Sequence, residues 1–352
     1  MKKLYVVLAV LVMAAMLLPA CTPTAPDCTK TTVFCVGVVT DVGKVDDKSF
    51  NQSAWEGVQQ AKTDGVADWV QYIETTDSKD YAKNINTFAD AGYDVIVTVG
   101  FNLTDPTFAA AQTYPNTKFI GVDQSLSADA THPGWPLANL VGLVFPEDQA
   151  GFLVGALGAM MSASHKIGAV CGTDVVPAVW RYGEGYRAGA AYADSLNGTT
   201  TEVFVVYHSD VGFDKTFTDP EWGATTADSM IANGADVIFG AGGKTGNGAV
   251  TEAAQKGVYA IGVDDDQYNT LPEAAARMLS SAMKLIKPGV SGLIKAAKDG
   301  TWASGNFTGA VGLAPYHDLA SSVPDAVKTS MDTITANVLS GTLQTGVPAA
   351  KP

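Results

Sequence analysis

The sequence predicts an α/β protein of two similar lobes, each a parallel sheet flanked by helices, with a cleft between them. Two observations lead to this fold class. Short apolar runs alternate with helical patterns through the middle of the chain, as expected for βαβ units. An internal repeat also relates two parts of the chain. At 352 residues, the chain is long enough for two lobes with cores of their own.

The predicted strands are short apolar runs rich in β-branched residues. In chain order they are VFCVGVV (33–39), DWVQYI (68–73), YDVIVTVG (93–100), KFIGV (118–122), NLVGLVF (139–145), HKIGAVCG (165–172), TEVFVVYH (201–208), ADVIFGAG (235–242) and VYAIGVD (258–264). Helices are predicted at SAWEGVQQAK (53–62), DYAKNINTFADAG (80–92) and DPEWGATTADSMIANG (219–234), and Lys284 is expected to lie in a helix between Met283 and Leu285.

The repeat aligns the segment that begins FADAGYDVIVTVG with the segment that begins MIANGADVIFGAG. The matched positions are Asp94 with Asp236, Gly100 with Gly242, and Gly121-Val122-Asp123 with Gly262-Val263-Asp264. We expect the chain to cross back between the lobes after the repeat. The first lobe is therefore placed at 33–144 plus about 262–305, and the second at 145–261 plus about 306–345, with a tail at 346–352.

The N-terminus has the features of a bacterial lipoprotein signal. Lys2 and Lys3 precede an apolar run at 4–18, which is too short to span a bilayer comfortably. Leu18-Pro19-Ala20-Cys21 resembles a lipobox. We predict a signal peptide at 1–20, a lipid such as palmitate on Cys21, a tether at 21–32 and a place on the outer face of the cell membrane. An ordinary signal followed by a chance cysteine is the alternative.

Three more cysteines follow Cys21 in an oxidising compartment. Cys28 and Cys35 either form a disulfide that pins the tether to the first strand or remain buried thiols. At least one of Cys28, Cys35 and Cys171 has no intramolecular partner. The histidines are scattered along the chain and show no metal-ligand spacing with the cysteines, so we predict no metal site.

Composition and motifs argue against several classes of function. The net charge of −14 disfavours nucleic acid and anionic membrane surfaces as partners. FGAGGKTGNG resembles a phosphate-binding loop, but Ile238 stands where the P-loop needs its first glycine, and Thr245 interrupts a dinucleotide fingerprint. No nucleophile elbow or HExxH motif is present in the sequence. We therefore predict no enzymatic activity and no cofactor.

The stretch TDVGKVDDKSFNQSAWEG (40–57) is the first candidate for a binding site. It joins a strand to a helix, where open α/β sheets bind their ligands. Asp41 ends the strand at the predicted cleft, and Asp47 or Ser49 is a candidate helix cap. Phe50 is either a core aromatic or a ligand contact. Asn51, in the first helical turn, has no evident structural task.

The same stretch resembles the entry motif of the basic membrane protein family. Further matching motifs are GVDQ (121–124), TFTDPEWGATTA (216–227), GAGGKTGNG (240–248), GVDDDQ (262–267) and LSSAMKLI (279–286). The resemblance covers nearly all of the mature chain. It implies a lipid-anchored substrate-binding protein of an ABC transporter, of the purine nucleoside receptor type. The implied fold is the type I periplasmic-binding-protein fold, whose two lobes are joined by three crossovers.

The resemblance also implies roles for particular residues. Phe50 and Phe217 would sandwich a purine base. The base edges would be read by Asp41, Asn51 and Asp123, and the ribose hydroxyls would be held by Gly243, Asp264 and Lys284. The implied ligand is inosine, adenosine or guanosine, and the implied partners are the permease subunits. We expect a monomer.

Two departures and two alternatives remain. Cys171 stands where a small residue is expected, and TDVVPAVWRYGEGY differs in detail, which leaves the base preference open. Lys284 is taken as the only cation of an otherwise acidic cleft, so a phosphate is expected to be repelled. The alternatives are a binding protein for a sugar or small signalling molecule, and a nucleoside hydrolase that uses Asp41 and Asp47.

Overall fold

The computed structural model describes residues 25–352, so the predicted signal peptide and Cys21 lie outside the described residues. The strands are β1 (Cys35–Val42), β2 (Trp69–Thr75), β3 (Val95–Val99), β4 (Lys118–Val122), β5 (Leu140–Val144), β6 (Lys166–Cys171), β7 (Glu202–Tyr207), β8 (Val237–Ala241), β9 (Tyr259–Asp264), β10 (Met278–Lys284), β11 (Gly305–Thr308) and β12 (Val311–Leu313). The helices are α1 (Phe50–Thr63), α2 (Tyr81–Asp90), α3 (Thr104–Thr113), α4 (Glu147–Met161), α5 (Pro177–Asn197), α6 (Phe213–Thr216), α7 (Pro220–Ala232), α8 (Gly243–Gln255), α9 (Gln267–Thr270), α10 (Ile286–Asp299) and α11 (Asp325–Leu339).

The strands form two six-stranded sheets with equivalent strand orders. The first sheet has the order β11-β5-β4-β3-β1-β2, and the second has the order β12-β10-β9-β8-β6-β7. All neighbours in the first sheet are parallel. In the second sheet, β12 alone runs antiparallel to its neighbour β10. The predicted fold class of two α/β lobes is therefore confirmed.

The chain passes between the lobes three times, as the family resemblance implied. The crossovers lie at 145–146 between β5 and α4, at Leu285 between β10 and α10, and at 309–310 between β11 and β12. They run side by side, because the Leu285 amide donates to the Ala310 carbonyl at 2.9 Å and the Gly309 amide donates to the Val144 carbonyl at 2.8 Å. These three adjacent crossover segments form the hinge between the lobes.

Two sequence predictions about this region are wrong. The chain was expected to return to the first lobe at about 262, but β9 and β10 both belong to the second sheet, and the crossing occurs at Leu285. Lys284 was expected in a helix, but it is the last residue of the strand β10. The side chains of β10 are buried on both faces between β9 and β12, which suits a central strand and leaves no polar face for a surface helix. At the other boundary, β11 pairs with β5, so the first lobe extends to Thr308.

Helices α4 and α5 form a close pair beside the hinge. A Cβ atom at Gly155 would lie 2.1 Å from the Tyr186 carbonyl oxygen, and one at Gly189 would lie 1.9 Å from that of Phe152. Only glycine permits backbones to approach this closely. The pair therefore holds the first turns of both helices in a fixed relation at the hinge.

The described cysteines resolve the alternatives left by the sequence. Cys28 and Cys35 form a disulfide, which joins the end of the tether to β1. Cys171 is a buried free cysteine at the end of β6. No helix within residues 25–352 combines the length and apolar character that crossing a membrane requires.

Candidate functional site

A cavity of about 380 Å³ lies between the lobes, at the carboxyl ends of the parallel strands. This is the edge at which open α/β sheets bind ligands. Every residue that the sequence analysis placed in the binding site lines this cavity, namely Asp41, Phe50, Asn51, Asp123, Phe217, Gly243, Asp264 and Lys284. The topology thus brings together residues that are widely separated in the chain.

Asp47 builds the entry to α1. Its Oδ1 accepts the Ser49 and Gln52 amides at 3.0 and 3.1 Å, and its Oδ2 accepts the Asn51 amide at 2.9 Å. Of the two candidate caps, Asp47 and Ser49, it is therefore the Asp47 side chain that caps the helix. It accepts amides that have no partner within the helix. Asp47 is 4% exposed. This tight loop places Phe50 and Asn51 at the cavity.

The Asn51 side chain connects two carboxylates. Its Nδ2 donates to Asp41 Oδ1 at 2.9 Å and to Asp47 Oδ2 at 3.1 Å. These two acceptors fix the orientation of the amide. Burial raises the pKa of Asp41 to about 7; the hydrogen bond from Asn51 opposes this shift, and the neighbouring Asp47 and Asp123 add to it. Near neutral pH, Asp41 can therefore either donate or accept a hydrogen bond.

Lys284 is a buried cation rather than the surface lysine that a helical pattern would give. It ends β10 and is 2% exposed. Its Nζ lies 2.5 Å from Asp123 Oδ2 and 2.9 Å from Glu147 Oε1. Burial alone would lower the pKa of Lys284, but the Asp123 and Glu147 carboxylates raise it above its ordinary value. Lys284 is therefore charged, and it joins the second lobe to Asp123 of the first.

Asp264 makes the corresponding contact in the opposite direction. Its Oδ2 accepts the Ser49 hydroxyl of the first lobe at 2.7 Å, and its Oδ1 accepts the Tyr182 hydroxyl at 3.2 Å. Burial raises the pKa of Asp264, while the attraction of Lys284 opposes that shift. The buried carboxylate is thus already hydrogen-bonded on both oxygens.

Phe50 and Phe217 enter the cavity from different lobes. Phe50 begins α1 of the first lobe, and Phe217 follows the short helix α6 of the second. Both rings are half-buried and line the cavity, so neither is a fully buried core residue. The Phe217 ring packs against Gly172, where a Cβ atom would lie 2.2 Å from it. The small residue needed at this place is therefore Gly172, which follows Cys171.

Gly242, Gly243 and two further lysines also border the cavity, with Lys44 in the first lobe and Lys244 in the second. Gly243 begins α8 with a φ of 55°, a conformation that favours glycine. Lys44 and Lys244 also line the cavity, so the prediction that Lys284 is its only cation is wrong. Lys44 is ion-paired with Glu74 at 2.7 Å and is largely exposed. Both lysines lie in stretches that the sequence analysis singled out, but neither was predicted to be a cation of the cleft.

Sequence reasoning missed Tyr182, Glu147 and the contact of Ser49 with Asp264. Tyr182 lines the cavity from α5, and Glu147 holds Lys284 from the start of α4. Each lies in a helix whose apolar neighbours make it read as part of a core. No sequence signal marks Glu147, because it is the first residue of α4 and its burial depends on tertiary packing.

Direct hydrogen bonds also join the lobes beside the cavity. The Lys48 carbonyl of the first lobe accepts Gln267 Nε2 at 2.9 Å and Thr270 Oγ1 at 3.0 Å from the second. Asn247 Nδ2 donates to the Asp47 carbonyl at 2.7 Å. Lys48 has a φ of 65°, so its peptide is turned by a backbone conformation that is uncommon outside glycine. The lobes are closed on one another in this conformation.

None of the described histidines lines the cavity, and His132, His208 and His317 pair with carboxylates outside it. Within the described residues, no group of three or more His, Cys, Asp or Glu side chains has an arrangement that could hold a metal ion. The cavity is therefore built from carboxylates, one buried lysine, an amide and aromatic rings.

Similarity to known proteins agrees with this architecture. A family model described as ABC transporter substrate-binding protein PnrA-like matches residues 34–314. The chain is 30% identical over 308 residues to the CD4+ T-cell-stimulating antigen of Listeria monocytogenes, covering 81% of each chain. It is 32% identical over 244 residues to the ABC transporter nucleoside-binding protein BmpA of Lactococcus lactis, covering 65% of this chain and 63% of that protein.

A solved structure resembles the whole fold. It is an ABC transporter solute-binding protein from Aeropyrum pernix, with a TM-score of 0.75 and 25% identity over 88% of this chain and 92% of that one. The family consists of binding proteins rather than enzymes, in agreement with the prediction of no enzymatic activity. The chain belongs to the family of PnrA-like substrate-binding proteins of ABC transporters.

Proposed function

We propose that this substrate-binding protein captures purine nucleosides in the interlobe cavity and delivers them to the permease of its transporter. The observation that carries the proposal is the pair of half-buried rings, Phe50 and Phe217, which line one cavity from opposite lobes. A planar base that stacks on such rings gains about 1–3 kcal/mol for each stacked face. The nucleoside-binding relative from Lactococcus lactis supports the same ligand class.

The polar groups suit the rest of a nucleoside. Asp41, Asn51 and Asp123 are proposed to contact the base edges, because carboxylates and amides accept the N–H groups found there. Gly243, Asp264 and Lys284 are proposed to hold the ribose hydroxyls, because a carboxylate accepts and an ammonium donates a hydrogen bond. The Tyr182 hydroxyl, which already bonds to Asp264, would fix that carboxylate in place.

The interior of the cavity favours a neutral ligand. Asp41, Asp47, Asp123 and Asp264 are all at or near the cavity wall, and Lys284 is already paired with two carboxylates. A phosphate placed among them would lose hydration and meet like charges. Lys44 and Lys244 lie at the cavity too, but the exposed Lys44 is paired with Glu74. We therefore propose the nucleoside rather than the nucleotide as the ligand.

The protein is proposed to work on the outer face of the cell membrane, held there by a lipid on Cys21. The N-terminal basic and apolar segments and the Leu18-Pro19-Ala20-Cys21 sequence support the anchor. The disulfide between Cys28 and Cys35 suits an oxidising compartment. A relative named basic membrane protein A, from Borreliella burgdorferi, is consistent with this location.

Ligand identity is tested by mass spectrometry of gently purified protein, followed by calorimetric titration with inosine, adenosine, guanosine and ribose. We expect a nucleoside to be carried through purification and each purine nucleoside to bind more tightly than ribose. Binding of a sugar in preference to every nucleoside would overturn the ligand class. Release of free base from inosine during incubation would instead identify a hydrolase.

A further inference from the structure

Lys284 is a buried ammonium whose N–H donors are not all used by the protein. An ammonium group carries three N–H donors. Asp123 Oδ2 accepts one of them at 2.5 Å, and Glu147 Oε1 forms an ion pair with the nitrogen at 2.9 Å. The Phe50, Phe145 and Tyr182 rings surround the nitrogen, with centroids 5.3, 5.1 and 5.8 Å away. Within residues 25–352 the ammonium donates a hydrogen bond to Asp123 alone, and Lys284 lines the cavity, so an N–H remains for a ligand.

Glu147, the second carboxylate beside Lys284, also contacts another cation. It is the first residue of α4, directly after the hinge crossover at 145–146, and it is 2% exposed. Its second oxygen, Oε2, forms an ion pair with Arg181 NH1 at 3.1 Å. Arg181 NH1 also donates to the Phe145 carbonyl at 3.1 Å, which ties the start of α5 to the crossover.

The close packing of α4 against α5, which requires Gly155 and Gly189, holds this arrangement in place. Glu147 therefore has one oxygen fixed by Arg181 and the other directed at Lys284. Neither oxygen has a part in the proposed contacts with a nucleoside. Burying a carboxylate costs free energy, because the charge loses its hydration, and pairing with cations offsets that cost. We therefore expect the pairing of Glu147 with Lys284 to serve the binding site.

We propose that Glu147 is a positioning residue of the binding site, which holds the Lys284 ammonium so that its remaining N–H is directed at a hydroxyl of the ligand. The proposal rests on the proposed nucleoside function. It assigns different tasks to the two carboxylates that pair with Lys284. Asp123 faces the ligand, and Glu147 anchors the lysine from the side of the hinge.

Glu147 also affects the protonation of Lys284. The ionisable groups that face Lys284 are Asp123, Glu147, Asp264 and Tyr182. Burial favours the neutral amine, and the carboxylates together keep the pKa of Lys284 above its ordinary value. Removing the Glu147 charge takes away one of the two carboxylates in direct contact. The amine should then begin to lose its proton, and hence the donated hydrogen bond, as the pH rises.

The test is calorimetric titration of wild type, Glu147→Gln and Asp148→Asn with inosine and with hypoxanthine, at several values between about pH 6 and pH 9. Asp148→Asn is a matched control. It removes a negative charge from the next residue of the same helix, and Asp148, like Glu147, is paired with Arg181. The other oxygen of Asp148 accepts a hydrogen bond from Thr345 rather than contacting Lys284.

We expect Glu147→Gln to weaken inosine about tenfold at pH 7, as for the loss of a charge-assisted hydrogen bond, and further as the pH rises. Hypoxanthine, which has no ribose, should bind to the variant as it binds to wild type. Asp148→Asn should match wild type with both ligands at each pH. Glu147→Asp keeps the charge but shortens the side chain, so it should weaken inosine without adding the alkaline pH dependence.

The possible results separate this proposal from the proposed function. If wild type binds no nucleoside, the function itself is wrong and the positioning role is wrong with it. If wild type binds inosine and Glu147→Gln binds it equally well, the function stands and the positioning role is overturned. An equal loss of inosine and hypoxanthine would also overturn it. If Glu147→Gln does not fold, as judged by circular dichroism, Glu147→Asp decides, and unchanged inosine affinity in that variant would overturn the proposal.

Discussion

Asp123 and Asp264 occupy equivalent positions in the two lobes, with φ angles of 60° and 65°, and each carboxylate reaches a residue of the opposite lobe. Asp123 bonds to Lys284, and Asp264 bonds to Ser49. The left-handed backbone conformation is uncommon for residues other than glycine, although aspartate tolerates it better than most. The two equivalent aspartates of the internal repeat therefore each make a contact across the cleft, in opposite directions.

We expect selectivity for the ribose to depend on Asp264. We predict that Asp264→Ala weakens inosine by about 1.5–3 kcal/mol, the usual range for a hydrogen bond to a charged group, and leaves hypoxanthine nearly unchanged. Calorimetric titration of wild type and variant with both compounds measures this difference. An equal loss for base and nucleoside would show that Asp264 does not hold the ribose.

A related prediction concerns charge on the ligand. Inosine 5′-monophosphate should bind more weakly than inosine, by more than the effect of Asp264→Ala, because the phosphate meets buried carboxylates in a closed cavity. The same calorimeter and buffer give the comparison. Since Lys44 and Lys244 border the cavity, Lys244→Ala is a useful control: it should leave inosine affinity unchanged. Tight binding of the monophosphate would contradict the assignment of a neutral ligand.

Stacking should be indifferent to the substituents of the base. Phe50→Ala should weaken inosine, adenosine and guanosine by a similar amount, about 1–3 kcal/mol, because every purine offers the same π-face. Phe217→Ala should do the same from the second lobe. Fluorescence or calorimetric titration with the three nucleosides tests this. Loss confined to one nucleoside would mean that the ring reads the base edge instead.

Closure of the lobes should depend on the contacts of the Lys48 carbonyl. Thr270→Val keeps the shape of the side chain but removes one of the two hydrogen bonds, and should weaken nucleoside binding by about 0.5–1.5 kcal/mol without touching the ligand. Small-angle scattering should show that ligand compacts wild type and that Thr270→Val needs more ligand to reach the same radius. An unchanged radius at saturating ligand in both proteins would contradict hinge closure.

The pKa of Asp41 predicts how stability depends on pH. Its value of about 7 in the folded protein lies above the ordinary 3.8, so the folded state binds more protons between these values. Stability from this group is present at low pH and is lost as the pH rises from about 4 to about 7, at about 1.4 kcal/mol for each pKa unit of difference. Chemical denaturation of wild type and Asp41→Asn over that range measures the effect. The two proteins should differ in slope, and parallel curves would contradict the raised pKa.

Lipidation is tested at Cys21, which precedes the described residues. Cys21→Ser should release the protein from membranes or leave the predicted signal peptide uncut, since the proposed lipid would be attached to that sulfur. Fractionation of cells and mass spectrometry of the N-terminus provide the measurement. Normal cleavage with continued membrane attachment would show that another feature anchors the protein.

Much of the site could be predicted from the sequence because its residues lie beside strong local signals. Asp41 ends a buried strand, Phe50 and Asn51 begin the helix that follows, and Asp123 and Asp264 close the two copies of the repeat. Periodicity and turn residues determine such positions locally, and the carboxyl ends of parallel strands then bring them to one edge. The family resemblance supplied the proposed ligand roles of all these residues, and also those of Phe217, Gly243 and Lys284.

Tertiary structure decided what depends on contacts between distant segments. The sequence placed Lys284 in a helix and the return to the first lobe near 262, but β10 is a central strand and the chain crosses at Leu285. An apolar run of a few residues fits either a strand or a buried helix, and only its neighbours β9 and β12 choose between them. The pairing of Glu147 with Lys284 likewise arises from the packing of α4 beside the end of β10. Local sequence therefore determined most of the helices and strands and the edge of the sheets at which the cleft lies. Long-range packing determined the strand β10 and which charged side chains meet in the cleft.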